Sequence, residues 1–347
     1  MTHHAVHART TLAATGILVL ILLLAAAPAD PALAEPDAPQ PEGGSAALRQ
    51  QLDEAVRGYN DAKARLETSK ARQSALTDEM RATESQVEVL TDQVNALAVT
   101  AYKGGRISGL TALLDSGSPN GLLQRAVTLQ SQARKDNQQV RQLRNIKTRL
   151  ADQQPAIERE IKTQQDQVAE MDRRKNAAEK ALATEAAATS TGAPTAGNTQ
   201  SAPPPNAAPV PRRPDGTLGP QSCSVKDPTT SGCITPRMLN ALQQAQAAGF
   251  TRYTSCYRPQ QDGGEHPRGR ACDFSASASG FGGVATGGDK AYGDRLATYF
   301  IANANRLGVL YVIWYRQIWL PSSGWRGYSG GGSPSADHTN HVHLSVQ

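Results

Sequence analysis

Bulky residues are concentrated in the last third of this chain, and their distribution is the strongest constraint on its fold. Of the sixteen aromatic residues, fourteen lie after position 249. All four cysteines lie between 223 and 272, and every histidine beyond the first seven residues lies between 266 and 343. Because aromatic side chains supply much of the buried area of a core, the pattern excludes two globular domains of similar size. It predicts one compact C-terminal domain behind a long fibrous or disordered segment.

The charge of the chain excludes one class of function. Its formal net charge of +5 arises from 36 basic and 31 acidic residues, which are mixed along the sequence. Proteins that bind nucleic acids usually concentrate basic side chains on one face. No such basic stripe is visible in the sequence, and we therefore expect no nucleic-acid partner.

The first 34 residues have the organisation of an export signal. Arg9 precedes an almost wholly apolar run from Leu12 to Ala27, and Ala32-Leu33-Ala34 offers the small-x-small pattern that signal peptidase recognises. The run is shorter than the roughly 20 residues that a membrane-spanning helix needs. We therefore predict a cleaved signal peptide at 1–34, with an uncleaved membrane anchor as the alternative. Either would place the rest of the protein outside the cytoplasm, secreted or in the cell envelope.

Residues 45–185 have the composition and periodicity of a coiled coil. They contain no Cys, Trp or Phe and are rich in Gln, Glu, Lys, Arg and Ala. Their apolar residues recur at intervals of three, four or seven, which is the spacing of a coiled-coil seam. In the first half these residues are Leu76, Met80, Val87, Leu90, Val94 and Leu97. In the second half a ladder of seam positions runs 140, 143, 147, 150, 154, 157, 161, 164, 168 and 171.

A segment rich in helix breakers, residues 103–121, separates the two halves and also holds Leu110, Leu113 and Leu114. An antiparallel hairpin with an apolar cap at its tip is favoured over two intermolecular coiled coils, because it buries both seams within one chain. Pro155 is expected to kink the second helix or to break it locally. The role of this arm stays open between a spacer, a docking arm and a lid.

Residues 186–214 are of low complexity and contain seven prolines among Ala, Thr, Ser, Gly and Asn. Such a segment cannot bury enough apolar surface to fold by itself. We predict a disordered Pro/Ala-rich linker. The C-terminal domain is therefore expected to be tethered to the arm rather than packed on it.

The four cysteines of an exported protein are expected to form two disulfides, for which three pairings are open. Cys223 and Cys233 flank a short turn-rich segment, whereas Cys256 and Cys272 flank two strand-like pieces. We favour these two pairs. A cysteine-ligated zinc site is disfavoured, because the sequence contains no Cys-x-x-Cys.

Residues 215–347 hold a candidate metal site. His341 and His343 lie in a segment whose period-two alternation predicts a strand with both side chains on one face. His266 and Asp273 lie in a turn that leads into another strand. Two histidines on one strand face and a distant His/Asp pair can supply a tetrahedral zinc site with water in the open position. Each motif alone would more often be a surface or core pair, but all four histidines of the domain take part.

The same residues resemble a known group of enzymes. An H-x-x-G-x-A-x-D motif is formed by His266, Gly269, Ala271 and Asp273. It follows a Tyr-Arg-Pro strand end and precedes an ending H-x-x-H-x-H, formed by His338, His341 and His343. This arrangement resembles the LAS superfamily of zinc peptidases. The first motif is most similar to its D-alanyl-D-alanine carboxypeptidase branch, and the second to its penicillin-insensitive murein endopeptidase branch.

The resemblance implies a role for each residue. It implies that the ligands of Zn2+ are His266, Asp273 and His343. His341 would be the catalytic histidine, which takes or gives the proton of the zinc-bound water. Arg258 matches an arginine that faces the substrate carbonyl or carboxylate, where it would stabilise a developing oxyanion. His338 would be a supporting site residue.

One position departs from the carboxypeptidase branch. That branch has a glutamate three residues before the last ligand, and here the residue is Asn340. Asn cannot act as a base, so catalysis would rest on His341, with Glu265 as a weaker candidate. The departure bears on activity more than on metal binding.

These observations together predict the architecture and the function. We expect an all-α antiparallel coiled-coil hairpin at 45–185, followed by a small α+β domain at 215–347 whose antiparallel sheet carries the zinc site. The expected function is that of an exported zinc-dependent peptidoglycan peptidase, a carboxypeptidase or endopeptidase acting on stem peptides or cross-links in cell-wall remodelling. The arm resembles the hairpins of bacterial murein hydrolases, which implies docking to a membrane division-complex protein. The alternative is a catalytically inactive coiled-coil adaptor that binds the cell wall or activates another murein hydrolase.

Overall fold

The computed structural model describes residues 44–104, 111, 118–188 and 205–347. All of them belong to one compact unit, Pro36–Gln347. The predicted signal peptide at 1–34, the three leucines of the predicted hairpin tip and most of the predicted linker lie outside the described residues. Within the described part of the chain, no helix is both long enough and apolar enough to cross a membrane.

Two long helices form the arm: α1 spans Ala46–Gly104 and α2 spans Pro119–Ala188. The helices run antiparallel. Ser45, just before α1, donates its backbone N–H to Glu185 Oε1 near the end of α2 at 2.9 Å, and Ser69 Oγ donates to Glu160 Oε2 at 2.6 Å. The arm followed by a small domain with antiparallel sheets confirms the predicted fold class.

The seam between the two helices differs from the prediction in α2. In α1 the six predicted seam residues are half-buried, and in α2 positions 143, 150, 157, 164 and 171 are also protected. Val140, Ile161 and Val168, however, are 42 %, 39 % and 47 % exposed. Their places are taken by residues one position earlier, Gln139, Glu160 and Gln167. The seam is therefore more polar than predicted, and it includes a hydrogen bond of 2.7 Å from Gln164 Nε2 to Gln73 Oε1.

Helix α2 continues through Pro155, so the predicted local break is absent. A proline inside a helix removes one backbone hydrogen bond and crowds the preceding turn. On either side of it, Gln153 and Ile157 are buried in the hairpin. The burial of the Ile157 side chain contributes apolar stabilisation in this part of the helix.

The observed seam predicts unequal effects for two isoleucines one turn apart in α2. Ile157 is 8 % exposed and Ile161 is 39 % exposed. Ile157→Ala should lower the free energy of unfolding by about 2 kcal/mol, because it removes buried methyl groups. Ile161→Ala, the matched control, should change it by less than about 0.5 kcal/mol. Thermal unfolding followed by circular dichroism measures both, and equal losses would contradict this seam.

The C-terminal part contains a two-stranded sheet and a six-stranded antiparallel sheet. Its elements are β1 (Val225–Lys226), β2 (Cys233–Ile234), α3 (Pro236–Ala247), β3 (Thr254–Ser255), a 3-10 helix (His266–Arg268), β4 (Ala271–Ser275), α4 (Gly287–Ala302), α5 (Ala304–Leu307), β5 (Val309–Trp314), β6 (Gln317–Leu320), β7 (Gly324–Gly327) and β8 (His341–Val346). The order in the larger sheet is β3-β4-β8-β5-β6-β7. The strand predicted for His341 and His343 is confirmed as β8, which lies near the middle of this sheet.

The two faces of the larger sheet have different neighbours. Alternate residues of β4, β5 and β8 pack against α3, α4 and α5 and form the main core. The intervening residues point to the opposite face, where the strand register aligns Asp273, His343, Ile313 and Ile318 in one row. The predicted ligands Asp273 and His343 therefore lie on the face that these three helices do not cover.

The base of the hairpin packs on this second face. An apolar arm–sheet cluster consists of Leu48, Leu52, Ala55 and Val56 of α1, Ala178, Ala181 and Leu182 of α2, and Leu310, Tyr311, Ile313, Ile318, Leu320 and Tyr328 of the domain. Arg326 of β7 also donates to Glu179 of α2 at 2.9 Å. The prediction of a domain tethered without packing is therefore wrong. Strand β5 is accordingly buried along its whole length, from Val309 to Trp314, as expected for a strand covered on both faces.

The end of the predicted linker packs on the domain as well. Ala207 is buried, and its N–H donates to Asn303 Oδ1 at 2.7 Å. The N–H of Val210 donates to the carbonyl oxygen of Arg306 at 2.8 Å. Because these groups give the extended backbone its hydrogen-bond partners, residues 205–214 are part of the domain rather than of a disordered linker.

Candidate metal centre

The three predicted ligands converge on one point of the sheet. His266 comes from the 3-10 helix, Asp273 from β4 and His343 from β8, and one ligand atom of each lies within 4.8 Å of the other two. Asp273 Oδ2 lies 3.1 Å from His266 Nε2, and Asp273 Oδ1 lies 2.8 Å from His343 Nδ1. All three residues are buried. The structure thus brings His343 together with two ligands, His266 and Asp273, that lie at least 70 positions earlier in the sequence.

Gly269 allows the chain to turn from His266 into β4. It ends the 3-10 helix in the left-handed conformation, with φ at 66°, which glycine adopts at little steric cost. A Cβ at this position would lie 2.8 Å from Ile234 Cα and 2.9 Å from the carbonyl oxygen of Cys233. The H-x-x-G-x-A-x-D motif therefore requires glycine at this position, because the backbone is left-handed there and no room is left for a Cβ atom.

The second ring nitrogen of each histidine ligand has a fixed partner. His266 Nδ1 donates to the carbonyl oxygen of Cys256, and His343 Nε2 lies 2.8 Å from Ser345 Oγ. Because a carbonyl oxygen only accepts, Nδ1 is the donor in the first contact, and Nε2 of His266 is the ring nitrogen that faces Asp273. Such contacts orient imidazole ligands in metalloproteins. Two imidazole nitrogens and one carboxylate form a donor set that fits zinc or a similar transition metal.

The charge of Asp273 suits a metal ligand. Burial raises the pKa of its carboxyl, but the charges of His266 and His341 act in the opposite direction and hold this pKa well below its usual range. A carboxyl with a lowered pKa stabilises the fold above its unfolded pKa, and this stability is lost as the pH falls through the folded value. Asp273 is therefore an anion at neutral pH, the form that binds a cation.

His341 and His338 lie beside the three ligands. His341 Nε2 is 3.3 Å from Asp273 Oδ1, and His341 Nδ1 is 2.7 Å from Asn340 Oδ1. His338, in the loop before β8, has its ring centroid 4.7 Å from that of His341 and 5.5 Å from that of His343. The structure therefore places both predicted site histidines next to the cluster, and their roles in a reaction stay predictions.

His338 occupies a constrained position. Its backbone has a φ of 51°, a left-handed conformation that is uncommon for residues other than glycine. Burial, and then the neighbouring His341 and His343, lower the pKa of His338 well below its usual value. The ring is therefore neutral at neutral pH, as suits a supporting residue rather than a cationic one.

Arg258 and Glu265 have ion-pair partners of their own. Arg258 is buried in the loop after β3, and its Nη2 lies 3.7 Å from Asp262 Oδ2. Its contact with a substrate stays a prediction. Glu265 Oε2 lies 2.5 Å from Arg270 Nε, and Oε1 lies 3.1 Å from Arg268 Nη1. Because two arginines engage both of its oxygens, Glu265 is a poor base, and the weaker alternative to His341 loses support.

Aromatic residues that the sequence did not single out pack on the site. Tyr311 of β5 stacks on His343, with ring centroids 5.7 Å apart and an interplanar angle of 11°. Phe281 packs on His341 at 5.4 Å. No sequence signal links these residues to the histidines, because their proximity depends on the sheet order. Ser345 could have been found, since it follows His343 by two positions on the same strand face.

The start of α1 borders this site. Arg49 donates to the carbonyl oxygen of Asp262, in the loop that precedes the 3-10 helix. Asp53 Oδ2 lies 3.3 Å from Arg270 Nη2, in the segment between the 3-10 helix and β4. The arm therefore contacts the chain segments on both sides of the 3-10 helix that carries His266.

Residues 230–339 match a family model. Its description is VldE, C-terminal domain, and the matched range is less than half of the chain. The range contains His266, Asp273 and His338 and ends before His341 and His343. Comparisons with curated proteins and with solved structures give no match. The match therefore covers part of the C-terminal domain and assigns no chemistry to the metal centre.

Both favoured disulfides are confirmed as Cys223–Cys233 and Cys256–Cys272. Cys256 follows β3 directly and supplies the carbonyl that accepts from His266, whereas Cys272 immediately precedes Asp273 in β4. The second disulfide therefore links the backbone that orients one ligand to the strand that carries another.

Removing this second disulfide should weaken metal binding as well as the fold. It closes a sequence separation of 16, worth about 3 kcal/mol in the loop-closure treatment. The double variant Cys256→Ser/Cys272→Ser should raise the zinc Kd about tenfold, because His266 loses a rigid partner. The control Cys223→Ser/Cys233→Ser opens a separation of 10 and lies against Gly269 rather than on the backbone that accepts from His266. It should lose similar stability with a clearly smaller rise in Kd. Calorimetric zinc binding measures this, and equal Kd values for the two variants would contradict the link.

Proposed function

We propose that this protein is an exported zinc peptidase that hydrolyses a peptide bond of peptidoglycan stem peptides or of their cross-links. The observation that carries the proposal is the buried cluster of His266 Nε2, the Asp273 carboxylate and His343 Nδ1, with His341 Nε2 beside it. The H-x-x-G-x-A-x-D and H-x-H motifs, which resemble those of the LAS superfamily, support zinc as the metal and a peptide as the substrate.

Each residue of the site would have a distinct role in this reaction. The ligands of Zn2+ would be His266, Asp273 and His343. When bound, zinc supplies Lewis acidity, which polarises a carbonyl group and acidifies water. His341 would accept a proton at Nε2 and return it to the leaving amine. Arg258 would stabilise the negative charge that develops on the carbonyl oxygen. The neutral ring of His338 would pack against the ring of His341 and hold it in place.

The location and the partner of the arm are part of the proposal. The N-terminal signal pattern supports export, and two disulfides are typical of oxidising compartments. A membrane division-complex protein is the proposed partner of the arm. Exposed apolar side chains near its distal end support docking there, namely Val99, Tyr102, Leu123 and Val127.

Metal analysis combined with digestion of purified muropeptides tests the proposal. The purified protein, with arm and domain together, should hold one equivalent of zinc and shorten a stem peptide or split a cross-linked dimer. Mass spectrometry of the products separates carboxypeptidase from endopeptidase activity. The matched control is the same preparation after chelation, whose activity should return with zinc. Protein that holds zinc but cleaves no muropeptide, even after the arm is loosened by substitution, would overturn the proposed activity.

The second candidate function is the inactive adaptor, favoured by one observation. Every predicted site residue is buried, and the base of the arm packs on the same face of the sheet. A domain that only binds a partner needs no open cleft. An adaptor would stimulate a separate murein hydrolase in a mixed assay without cleaving muropeptides by itself, whereas the peptidase would cleave without a partner.

A further inference from the structure

We propose that Phe281, supported by Tyr253, forms a specificity subsite that receives a small apolar side chain of the substrate beside the bond to be cleaved. The inference rests on the proposed function, because it names the part of a stem peptide that this surface would recognise. In a stem peptide the side chain of this chemistry is the methyl group of an alanine.

The ring of Phe281 connects the metal centre to an exposed aromatic side chain. Its centroid lies 5.4 Å from that of His341, the proposed proton carrier. It also lies 5.2 Å from the ring of Tyr253, in an edge contact with an interplanar angle of 79°, and Tyr253 is 42 % exposed. Neither Phe281 nor Tyr253 belongs to the main core or to the arm–sheet cluster. Core packing therefore does not account for this aromatic pair.

The backbone on both sides of Phe281 is held in place by hydrogen bonds. Ser275 Oγ donates to the carbonyl oxygen of Gly280 at 2.7 Å, and Asn340 Nδ2 donates to that of Gly282 at 2.7 Å. Both donors are buried. Ser275 is the last residue of β4 and Asn340 directly precedes β8, the two strands that carry Asp273 and His343. The ring is therefore preorganised relative to the ligands, which reduces the entropy that a substrate must lose on binding.

The glycines around Phe281 leave room for a ligand. Among the described residues, a Cβ atom added at Gly280, Gly282 or Gly283 would meet no atom within 4 Å beyond its chain neighbours. Gly282 and Gly283 are exposed, and Phe281 is half-buried. Part of the ring is therefore accessible beside a stretch of backbone that carries no side chains.

The chemistry of this surface favours an apolar side chain as its occupant. The phenyl ring of Phe281 offers no hydrogen-bond donor or acceptor to a ligand, and aromatic rings gain stability by burying apolar surface. Because the ring contacts His341, the part of the substrate nearest to it would be a residue that adjoins the scissile bond. A methyl group fits this place, since the neighbouring glycines leave space without adding a polar side chain.

Kinetics with synthetic stem peptides, in which each alanine in turn is replaced by glycine, test the subsite. The wild type should lose about tenfold in kcat/KM for the replacement next to the cleaved bond, since one methyl group in an apolar pocket is worth about this factor. Phe281→Ala should cleave the alanine and glycine peptides with similar kcat/KM. Its KM for the alanine peptide should rise about tenfold with kcat little changed, as expected for the loss of uniform binding.

Phe281→Leu is the matched control, because it keeps an apolar side chain and should retain part of the preference for alanine. A folding defect would lower the activity on both peptides and leave their ratio as in the wild type. A tenfold preference for alanine that persists in Phe281→Ala would therefore overturn the inference.

Binding without turnover distinguishes the subsite from the peptidase function. In full-length protein labelled at Phe, the ring signal of Phe281 is assigned in NMR spectra by its loss in Phe281→Leu. An uncleavable stem peptide with reduced peptide bonds should shift this signal, and its glycine analogue should shift it clearly less. These shifts together with no hydrolysis of muropeptides by the wild type would support the subsite and overturn the peptidase function. Equal shifts with both peptides, no shift, or the same shift with a peptide-free wall disaccharide would overturn the subsite.

Discussion

His343→Ala should abolish tight zinc binding, whereas His341→Ala should retain zinc and lose activity. The two residues lie on the same face of β8, but only His343 faces both Asp273 and His266 in the ligand cluster. Loss of a mere hydrogen-bond partner of a ligand weakens binding about 10–100-fold, so loss of a ligand should exceed about 100-fold. His341 has its Nε2 beside the cluster and its Nδ1 bound to Asn340. Its removal should cost about 10²–10⁴-fold in kcat, as expected for a general acid or base.

Zinc analysis after dialysis and muropeptide digestion measure these two effects on the same preparations. Both variants delete an imidazole from neighbouring positions of one strand, so each is the control for the other. Retained zinc in His343→Ala would remove this histidine from the ligand set. Full activity in His341→Ala would refute its role as the proton carrier.

Thermal unfolding measures zinc binding at the same site without the need for a substrate. A ligand that binds only the folded state stabilises it by about 2.7 kcal/mol at a free concentration 100 times its Kd. Zinc should therefore raise the Tm of the wild type and of His341→Ala, and leave that of His343→Ala unchanged. Comparison in the metal-free state separates this effect from any packing defect at the buried His343.

Short-range rules placed the parts of the ligand cluster in the sequence, and the motif resemblance implied which of the histidines are ligands. Period-two alternation put His341 and His343 on one face of a strand, and the structure confirms that strand. The turn at Gly269 is likewise a local property, since it needs a left-handed backbone. What the sequence could not give is the sheet order, which brings Tyr311 of β5 onto His343.

The seam of α2 shows why the arm was predicted only in part. The predicted seam and the observed one share positions 143, 150, 157, 164 and 171. At the positions between these, the observed seam uses the residue one place before the predicted one. At 100° per residue, the two differ by a rotation of the helix of roughly 50°. Because Val140, Ile161 and Val168 are apolar, the sequence predicted that their side of α2 forms the seam. The rotation is instead set by contacts with distant residues, such as Ser69 with Glu160.

The packing of the arm on the sheet is the largest feature that the sequence did not reveal. The low-complexity linker suggested that the arm and the C-terminal domain are independent of each other. Instead, Leu48 and Leu52 of α1 cover part of the face that carries the site. Two members of the arm–sheet cluster also contact the site: Tyr311 stacks on His343, and Tyr328 packs edge-on against His338 at 5.7 Å. The base of the arm therefore packs against residues that form walls of the metal centre.

Leu52→Asp should separate the base of the arm from the sheet and open the site. Leu52 is 2 % exposed within the arm–sheet cluster. Replacing it removes about 2 kcal/mol of apolar burial and adds a carboxylate, whose burial is more costly still. A loss of about 3 kcal/mol corresponds to roughly a 100-fold larger open population. The rate at which a chelator removes zinc should rise by about that factor, since chelation requires access to the buried ligands.

The control for this effect is Leu76→Asp, which places the same charge in the same helix but in the seam beyond the arm–sheet cluster, where Leu76 is half-buried. It should loosen the hairpin locally and leave the chelation rate near that of the wild type. Muropeptide digestion should follow the chelation rate if the arm limits access, and be higher in Leu52→Asp than in Leu76→Asp. Equal chelation rates in the two variants would show that the arm does not limit access. The burial of the ligands would then be due to the loops of the domain itself, among them the segment from Gly330 to Asp337 that precedes His338.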